Sequence, residues 1–150
     1  EQGTYIITLP EALEEIEIQV SAPGFQAFTF STTSKIGQTT ASKVPLQPIT
    51  TFSVEDNRLF IPVVNAGVLG RFTAQLQADE SLAFFRLTEL TAIEPTMANE
   101  ALFSLETGVL AIPRVEVMGV PDIQHYQVDM QLVPNSEPVQ FSLTNAEPVP

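Results

Sequence analysis

The chain of 150 residues contains no cysteine and no tryptophan, and it has a single histidine. Without cysteine, the sequence cannot form disulfides, thiol nucleophiles or zinc–thiolate sites. Without tryptophan, and with only two tyrosines, it has few of the aromatic platforms that carbohydrate-binding sandwiches commonly use. The sequence therefore holds little of the material from which catalytic, metal and sugar sites are built.

Basic residues are also scarce. Six lysines and arginines stand against eighteen acidic residues, which gives a net charge of −12. Such a charge repels nucleic-acid phosphates and anionic lipid, so we expect neither nucleic acid as a partner nor insertion into a membrane. Acidic, lysine-poor sequences are common among exported proteins, and on this compositional prior we expect an extracellular or cell-surface location for an exported bacterial protein.

Long hydrophobic runs are missing, since the longest, such as Leu59–Val64, fall far short of the roughly 20 residues of a membrane helix. Helical patterns are equally rare, and the two candidates, Pro10–Ile16 and Thr96–Leu102, offer at most a turn each. Alternation with period two dominates instead, as in Ile16, Ile18 and Val20 against Glu15, Glu17 and Gln19. Twelve prolines and seven glycines separate such runs. The pattern predicts an all-β fold of antiparallel β-sandwich modules.

A stretch of the sequence occurs twice. Seven residues recur at a constant offset of 51: Phe52, Ser53, Glu55, Leu59, Ile61, Pro62 and Val64 return as Phe103, Ser104, Glu106, Leu110, Ile112, Pro113 and Val115. We interpret residues 52–90 and 103–144 as two copies of one β unit that form a domain over residues 51–150. One copy is too small to bury a core alone, so we expect the two copies to share one. Both prolines are expected at a strand edge or bulge, because proline has no ladder donor.

Residues 1–50 form a different, N-terminal segment. The strand pattern at Gly3, Tyr5, Ile7 and Leu9, followed by Ile18, Val20, Ala22, Gly24 and Phe25, resembles the second half of carboxypeptidase-regulatory-like or transthyretin-like β-sandwich domains of bacterial surface proteins. In those families several strands precede the glycine–tyrosine strand. The resemblance therefore implies an N-terminal sandwich that is incomplete in this chain. Residues 52–144 likewise resemble duplicated β-repeats of bacterial surface or secreted proteins.

Few side chains are candidates for chemistry. His125 has no partner in the sequence pattern and is interpreted as a solvent-facing strand residue. The acidic group Glu14, Glu15 and Glu17 is interpreted as a solvated strand face, and Glu55–Asn57 as a turn. The second copy keeps the glutamate, as Glu106, but has no counterpart of Asp56 and Asn57, which argues against a repeated calcium site. We therefore predict no catalytic residue, no cofactor and no metal site.

Two functions remain open. The first is a non-catalytic structural or adhesive β-protein, a subunit of a surface filament or a part of a large surface protein. The alternative is a carbohydrate-binding module of a secreted protein. If the N-terminal sandwich lacks strands, as the resemblance implies, its open edge would accept a strand from another copy, and we expect self-association into a homopolymer by strand complementation. Two alternatives stay open: the missing strands belong to the same longer polypeptide, or residues 1–50 form a complete small sheet packed on the repeats.

Overall fold

The computed structural model describes residues 15–22, 24–32, 47–94 and 99–150. The chain divides into two compact units. The first comprises residues 1–22 and 26–46, and the second comprises residues 23–25 and 47–150. Within the described ranges the regular structure is β, apart from one 3-10 turn at Gly67–Leu69. The prediction of an all-β protein is therefore confirmed.

In the first unit, strand β1 (Ile16–Val20) pairs antiparallel with strand β2 (Phe28–Thr32). The alternation of β1 is as predicted, because Glu15 and Glu17 are exposed while its apolar residues are partly buried. Ile18 lies opposite Phe30, and the rings of Phe28 and Phe30 are 6.1 Å apart. Two residues on which the expected open sandwich core depends, Tyr5 and Ile7, lie outside the described residues.

The second unit is one sheet of eight strands. The strands are β3 (Thr50–Ser53), β4 (Arg58–Asn65), β5 (Arg71–Ala78), β6 (Phe84–Ile93), β7 (Ala101–Phe103), β8 (Val109–Met118), β9 (Gln124–Leu132) and β10 (Gln140–Val149). Their order is β3-β4-β5-β6-β10-β9-β8-β7, and further pairings of β3 with β8 and of β4 with β7 close the sheet.

The closure runs along a seam between β4 and β8. Strand β3 pairs with the first half of β4 and the second half of β8, whereas β7 pairs with the opposite halves. Strands β3 and β7 each fill one half of the gap between β4 and β8. Any cross-section of the closed sheet therefore passes through seven strands. The sequence predicted an antiparallel sandwich. The structure has a single closed sheet instead, and its β3–β8 and β4–β7 pairings are parallel. A barrel of this kind buries apolar residues inside one sheet instead of between two.

Both prolines of the repeated motif lie at bulges. The register of β4 against β5 shifts between Ile61 and Val64, around Pro62. The register of β8 against β9 shifts between Ile112 and Val115, around Pro113. The predicted placement of these prolines is confirmed, and its physical reason is that a bulge removes the need for the missing backbone donor.

The strand registers recur at fixed offsets along the second unit. Phe52 lies opposite Leu59 in the β3–β4 pair, and Phe103 lies opposite Leu110 in the β7–β8 pair. The bulge of β6 skips Thr88, and the bulge of β10 skips Thr144. We call two residues matched when they hold the same position in corresponding strand pairs. The offset between matched residues is 51 from β3–β4 to β7–β8, as for Phe52 and Phe103. It is 54 from β5 to β9 (Leu76 and Met130) and 56 from β6 to β10 (Phe85 and Phe141).

Matched residues are also buried alike. The fully buried side chains are Leu59, Ile61, Leu76, Ile112 and Met130. Ile61 and Ile112 are both 0% exposed, and Phe85 and Phe141 are 5% and 8% exposed. These side chains belong to one continuous cluster inside the closed sheet. Phe72 and Tyr126, expected in this core, are partly buried.

The turn between β5 and β6 is held by an aspartate. The carboxylate of Asp79 accepts hydrogen bonds from the hydroxyl of Ser81 at 2.9 Å and from the backbone N–H groups of Ala83 at 3.1 Å and Phe84 at 3.3 Å. Desolvation pulls the pKa of Asp79 upward, but these hydrogen bonds outweigh it and the pKa lies below its ordinary value of 3.8. The ionised form therefore stabilises the turn.

This shift predicts a dependence of stability on pH. A carboxyl group whose pKa is lower in the folded state stabilises the protein above its unfolded pKa, and this contribution disappears as pH falls through the folded pKa. Asp79→Asn should lower the urea midpoint at neutral pH, and the difference from the parent protein should shrink as pH falls below 3.8. The neighbouring Glu80 makes none of these contacts, so Glu80→Gln should leave the neutral-pH midpoint unchanged. A difference for Asp79→Asn that does not vary with pH would contradict the assignment.

Candidate functional site: an open strand edge and an outer-face depression

The first candidate site is the outer edge of β6. Strands β6 and β10 pair over only three residues each, with Phe85 opposite Phe141 at the centre. Two backbone hydrogen bonds flank this contact, from the N–H of Leu87 to the carbonyl of Val139 and from the N–H of Leu143 to the carbonyl of Ala83. Beyond them, Thr88 lies in the bulge and Glu89–Ile93 pairs with β5 on one side only. Among the described residues, no strand therefore covers the other side of Thr88–Ile93, an edge about 20 Å long.

The inner face of β6 is also uncovered along this edge. Residues directly opposite each other in a sheet share a face. Ala74 is 4% exposed and lies opposite Leu90, yet Leu90 is 53% exposed. Leu90 therefore points to the core side of the sheet at a place where no described strand continues the wall beside it. An unpaired edge with an exposed core-side leucine is a template for an added strand.

The matching edge of β10 is less suited to strand addition. Its residues Asn145–Val149 pair with β9 on one side. Pro148, however, lies opposite Tyr126 and lacks a backbone N–H, so it cannot donate to a new strand. Pro150, two residues further along the chain, accepts a hydrogen bond from the guanidinium of Arg114 through its carbonyl oxygen. The β6 edge is therefore better suited than the β10 edge to the addition of a strand.

His125 does not face solvent, and the prediction that it does is wrong. Its imidazole Nε2 lies 3.5 Å from Glu116 Oε2, and the two side chains are 17% and 15% exposed. The other carboxylate oxygen, Oε1, accepts a hydrogen bond from the backbone N–H of Gly24 at 3.3 Å. Residues 116 and 125 meet because they are paired across the β8–β9 ladder. In the described part of the chain no hydroxyl is hydrogen-bonded to His125, and the contact with Glu116 joins strands β8 and β9.

A second polar cluster lies at the matched place. Asn65 matches Glu116, and Arg71 matches His125. Here the carboxylate comes from Glu100, whose oxygens accept hydrogen bonds from Asn65 Nδ2 at 3.0 Å and from Arg71 Nε at 3.4 Å. One cluster links the hairpin between β4 and β5 to Glu100. The other links the hairpin between β8 and β9 to Gly24. The charged side chains of both clusters are partly buried and contact one another, which favours a structural role.

The second candidate site is a depression on the outer face beside β7. It has a volume of about 520 Å³ and is lined by Asn65, Gly67, Leu102, Phe103, Ser104, Thr107, Val109 and Ala111. None of these residues carries a charge. Ala111 in its lining is small, whereas the matched residue, Phe60, is large. Leu102 in its wall is 54% exposed.

The acidic residues do not converge on a site. Glu55 and Asp56 lie in the β3–β4 turn, which ends at Asn57 with φ of 52°, and the predicted turn is confirmed. Among the described residues, no group of three or more histidine, aspartate or glutamate side chains is placed to hold a metal ion. In the same part of the chain, no helix has the length and apolarity needed to cross a membrane.

Sequence reasoning missed both candidate sites. The β6 edge depends on where β6 and β10 part, which no local pattern encodes. The depression had a signal in the sequence, because the offset of 51 places Ala111 against Phe60. A small residue at one of two matched positions marks a surface that differs between them.

Comparisons with known proteins leave the family open. No family model, curated protein or solved structure matches the chain. The resemblance of residues 1–50 to transthyretin-like domains, and of residues 52–144 to bacterial surface repeats, stays a prediction.

Proposed function

We propose that this protein is a non-catalytic structural module of an exported bacterial surface protein, and that it assembles by adding a strand to the outer edge of β6. The observation that carries this proposal is the exposure of Leu90 on the core side of an unpaired edge. A strand placed beside Thr88–Ile93 would form hydrogen bonds with the backbone N–H and C=O groups of that edge, and it would also cover Leu90.

We further propose that residues 52–90 and 103–144 are two copies of one unit, which close a barrel by exchanging their first strands. The matched registers and the matched bulges support this duplication. The β3 strand of one copy completes the wall beside the β8 strand of the other, and β7 does the same beside β4.

The low charge density along the β6 edge supports self-association despite the net charge of −12. Between Thr88 and Ile93 the only charged residue is Glu89. Polar, uncharged threonines and apolar residues make up the rest, and such residues favour strand pairing. A second copy is therefore an acceptable partner at this edge, and the acidic remainder of the surface keeps other contacts weak.

Sedimentation velocity over a wide concentration range tests this assembly. The parent protein should form larger species as its concentration rises. Leu90→Lys should prevent their formation, because a charge on the core side of an edge strand blocks the approach of another strand. Leu102→Lys is the matched control, since Leu102 is exposed to 54% against 53% for Leu90 and lies on β7.

The control variant should assemble as the parent protein does. A parent protein that stays monomeric at every concentration would contradict the proposal. So would assembly that Leu90→Lys and Leu102→Lys weaken equally, because the contact would then not be specific to β6.

A further inference from the structure

The open edge of β6 presents the backbone groups of particular residues. In an antiparallel ladder, pairs that exchange both backbone hydrogen bonds alternate with pairs that exchange none. Leu87 directs its N–H away from β5, to the carbonyl of Val139, so its pair with Leu76 is of the second kind. Every second pair along the ladder is alike, so Leu90 and Ala92 also turn their N–H and C=O groups away from β5. An added strand therefore bonds to Leu90 and Ala92.

The segment Glu89–Ile93, which pairs with β5 on one side, is symmetric about its middle residue, Thr91. Leu90 and Ala92 lie at equal distances on either side of Thr91. When a second copy lays the same segment alongside, antiparallel and centred on Thr91, Leu90 of each copy lies opposite Ala92 of the other. Both of these pairs can then exchange two N–H···O bonds, so the outward backbone groups of each copy complete those of the other.

We infer that β6 pairs with β6 of a second copy, antiparallel and centred on Thr91, and that the assembly closes as a symmetric dimer. This inference rests on the proposed addition of a strand at β6. Because both copies use the same edge, a twofold axis relates them and the contact leaves no β6 edge for a third copy. Among the described strands of the closed sheet, only β10 has another open edge, and Pro148 interrupts it.

The core-side residues of this edge fit the proposed dimer. Leu90 and Ala92 share the core side of β6, because residues two apart in a strand point to the same face. Across the twofold axis each Leu90, which is 53% exposed in the single chain, lies opposite the small Ala92. The two leucines are diagonal neighbours at about 7–8 Å, within reach of one another. Pairing therefore covers both leucines without placing two large side chains directly opposite each other.

The position of Glu89 favours a centre at Thr91. Glu89 is the only charged residue of the paired segment, and in this register it lies opposite Ile93 of the other copy. The two glutamates are then four residues apart, about 13 Å along the strands. That separation exceeds the Debye length of about 8 Å at physiological salt, so their repulsion is largely screened. A centre at Leu90 would bring the glutamates to about 7 Å along the strands, where they repel more strongly.

Cysteine cross-linking tests the pairing, because the chain has no cysteine and one introduced thiol can form a disulfide only with another copy. In the dimer the two Thr91 residues form a pair without backbone hydrogen bonds, with Cα atoms about 4.5 Å apart. This distance suits a disulfide, which spans about 4.4–6.8 Å between Cα atoms. Under mild oxidation, Thr91→Cys should form a covalent dimer about tenfold faster than Glu147→Cys, or more, because pairing raises the effective concentration of its thiols. Glu147 is the matched residue on β10, and both residues are exposed.

Two further variants test the register. Glu89→Cys and Ile93→Cys should cross-link with each other when they are mixed, because these residues lie opposite each other in the dimer. Neither variant alone should cross-link, because its two thiols would be about 13 Å apart along the strands. The mixture also decides the inference should Thr91→Cys fail to fold.

The outcomes separate this inference from the proposed function. Larger species in the parent protein, together with Thr91→Cys that cross-links no faster than Glu147→Cys, would overturn the pairing of β6 with β6 and leave strand addition at β6 standing. Sedimentation equilibrium masses above two chains would overturn the closed dimer in the same way. A parent protein that stays monomeric at every concentration would overturn both.

Discussion

Ile61→Ala and Ile112→Ala should each lower the free energy of unfolding by about 2–5 kcal/mol. Both isoleucines are 0% exposed, and they are matched residues of the two halves. Each substitution removes three carbons from a close-packed interior and leaves a cavity that the surrounding strands cannot close fully. Because both side chains belong to one cluster, the two losses should be similar in size.

Urea unfolding followed by circular dichroism measures these losses. Val68→Ala is the control, because Val68 is 97% exposed and should change stability by no more than about 0.5 kcal/mol. A loss at only one of the two isoleucines would show that the halves do not share one core.

The aromatic residues at the crossing of β6 and β10 should have a comparable effect. Phe85→Ala and Phe141→Ala are each expected to cost about 3–5 kcal/mol. Phe85 meets Phe52 edge to face at 6.2 Å, and Phe141 meets Phe103 in the same way at 6.0 Å. Such pairs add about 0.5–1.5 kcal/mol beyond burial alone.

Double-mutant cycles isolate that additional energy. The couplings of Phe52 with Phe85 and of Phe103 with Phe141 should both be favourable and of similar size, because both ring pairs meet edge to face at about the same distance, with interplanar angles of 65° and 87°. Phe84 is 41% exposed and neighbours Phe85, so Phe84→Ala is a matched control with a much smaller cost. A coupling present in one pair and absent from the other would contradict the equivalence of the halves.

Local patterns in the sequence predicted the elements of the fold but not how they join. Alternation at Ile16–Val20 is a property of a strand itself, so it is visible without tertiary contacts. The bulges at Pro62 and Pro113 follow from proline chemistry alone. The parallel pairing of Thr51 with Glu116 joins residues far apart in the chain, and its register depends on the whole closed sheet. For this reason the barrel was not distinguishable from a sandwich.

The candidate sites show the same limit. The partner of His125 could not be inferred from sequence spacing. Glu116 lies opposite it across a hairpin, and the register of that hairpin is shifted by a bulge. The open edge of β6 arises from the three-residue contact with β10, which is set by the geometry of the closed sheet. Only the depression left a trace in the sequence, because Ala111 stands at the offset of 51 from Phe60.

Hydrogen exchange at the amides of Thr88–Ile93 tests the proposed assembly most directly. In the monomer, amides bonded to β5 should be protected and those that face the open edge should exchange fast. At concentrations where larger species form, the fast amides should become protected, while Leu90→Lys should keep them fast. Full protection of this segment in the monomer, or no gain in protection on assembly, would contradict strand addition at β6.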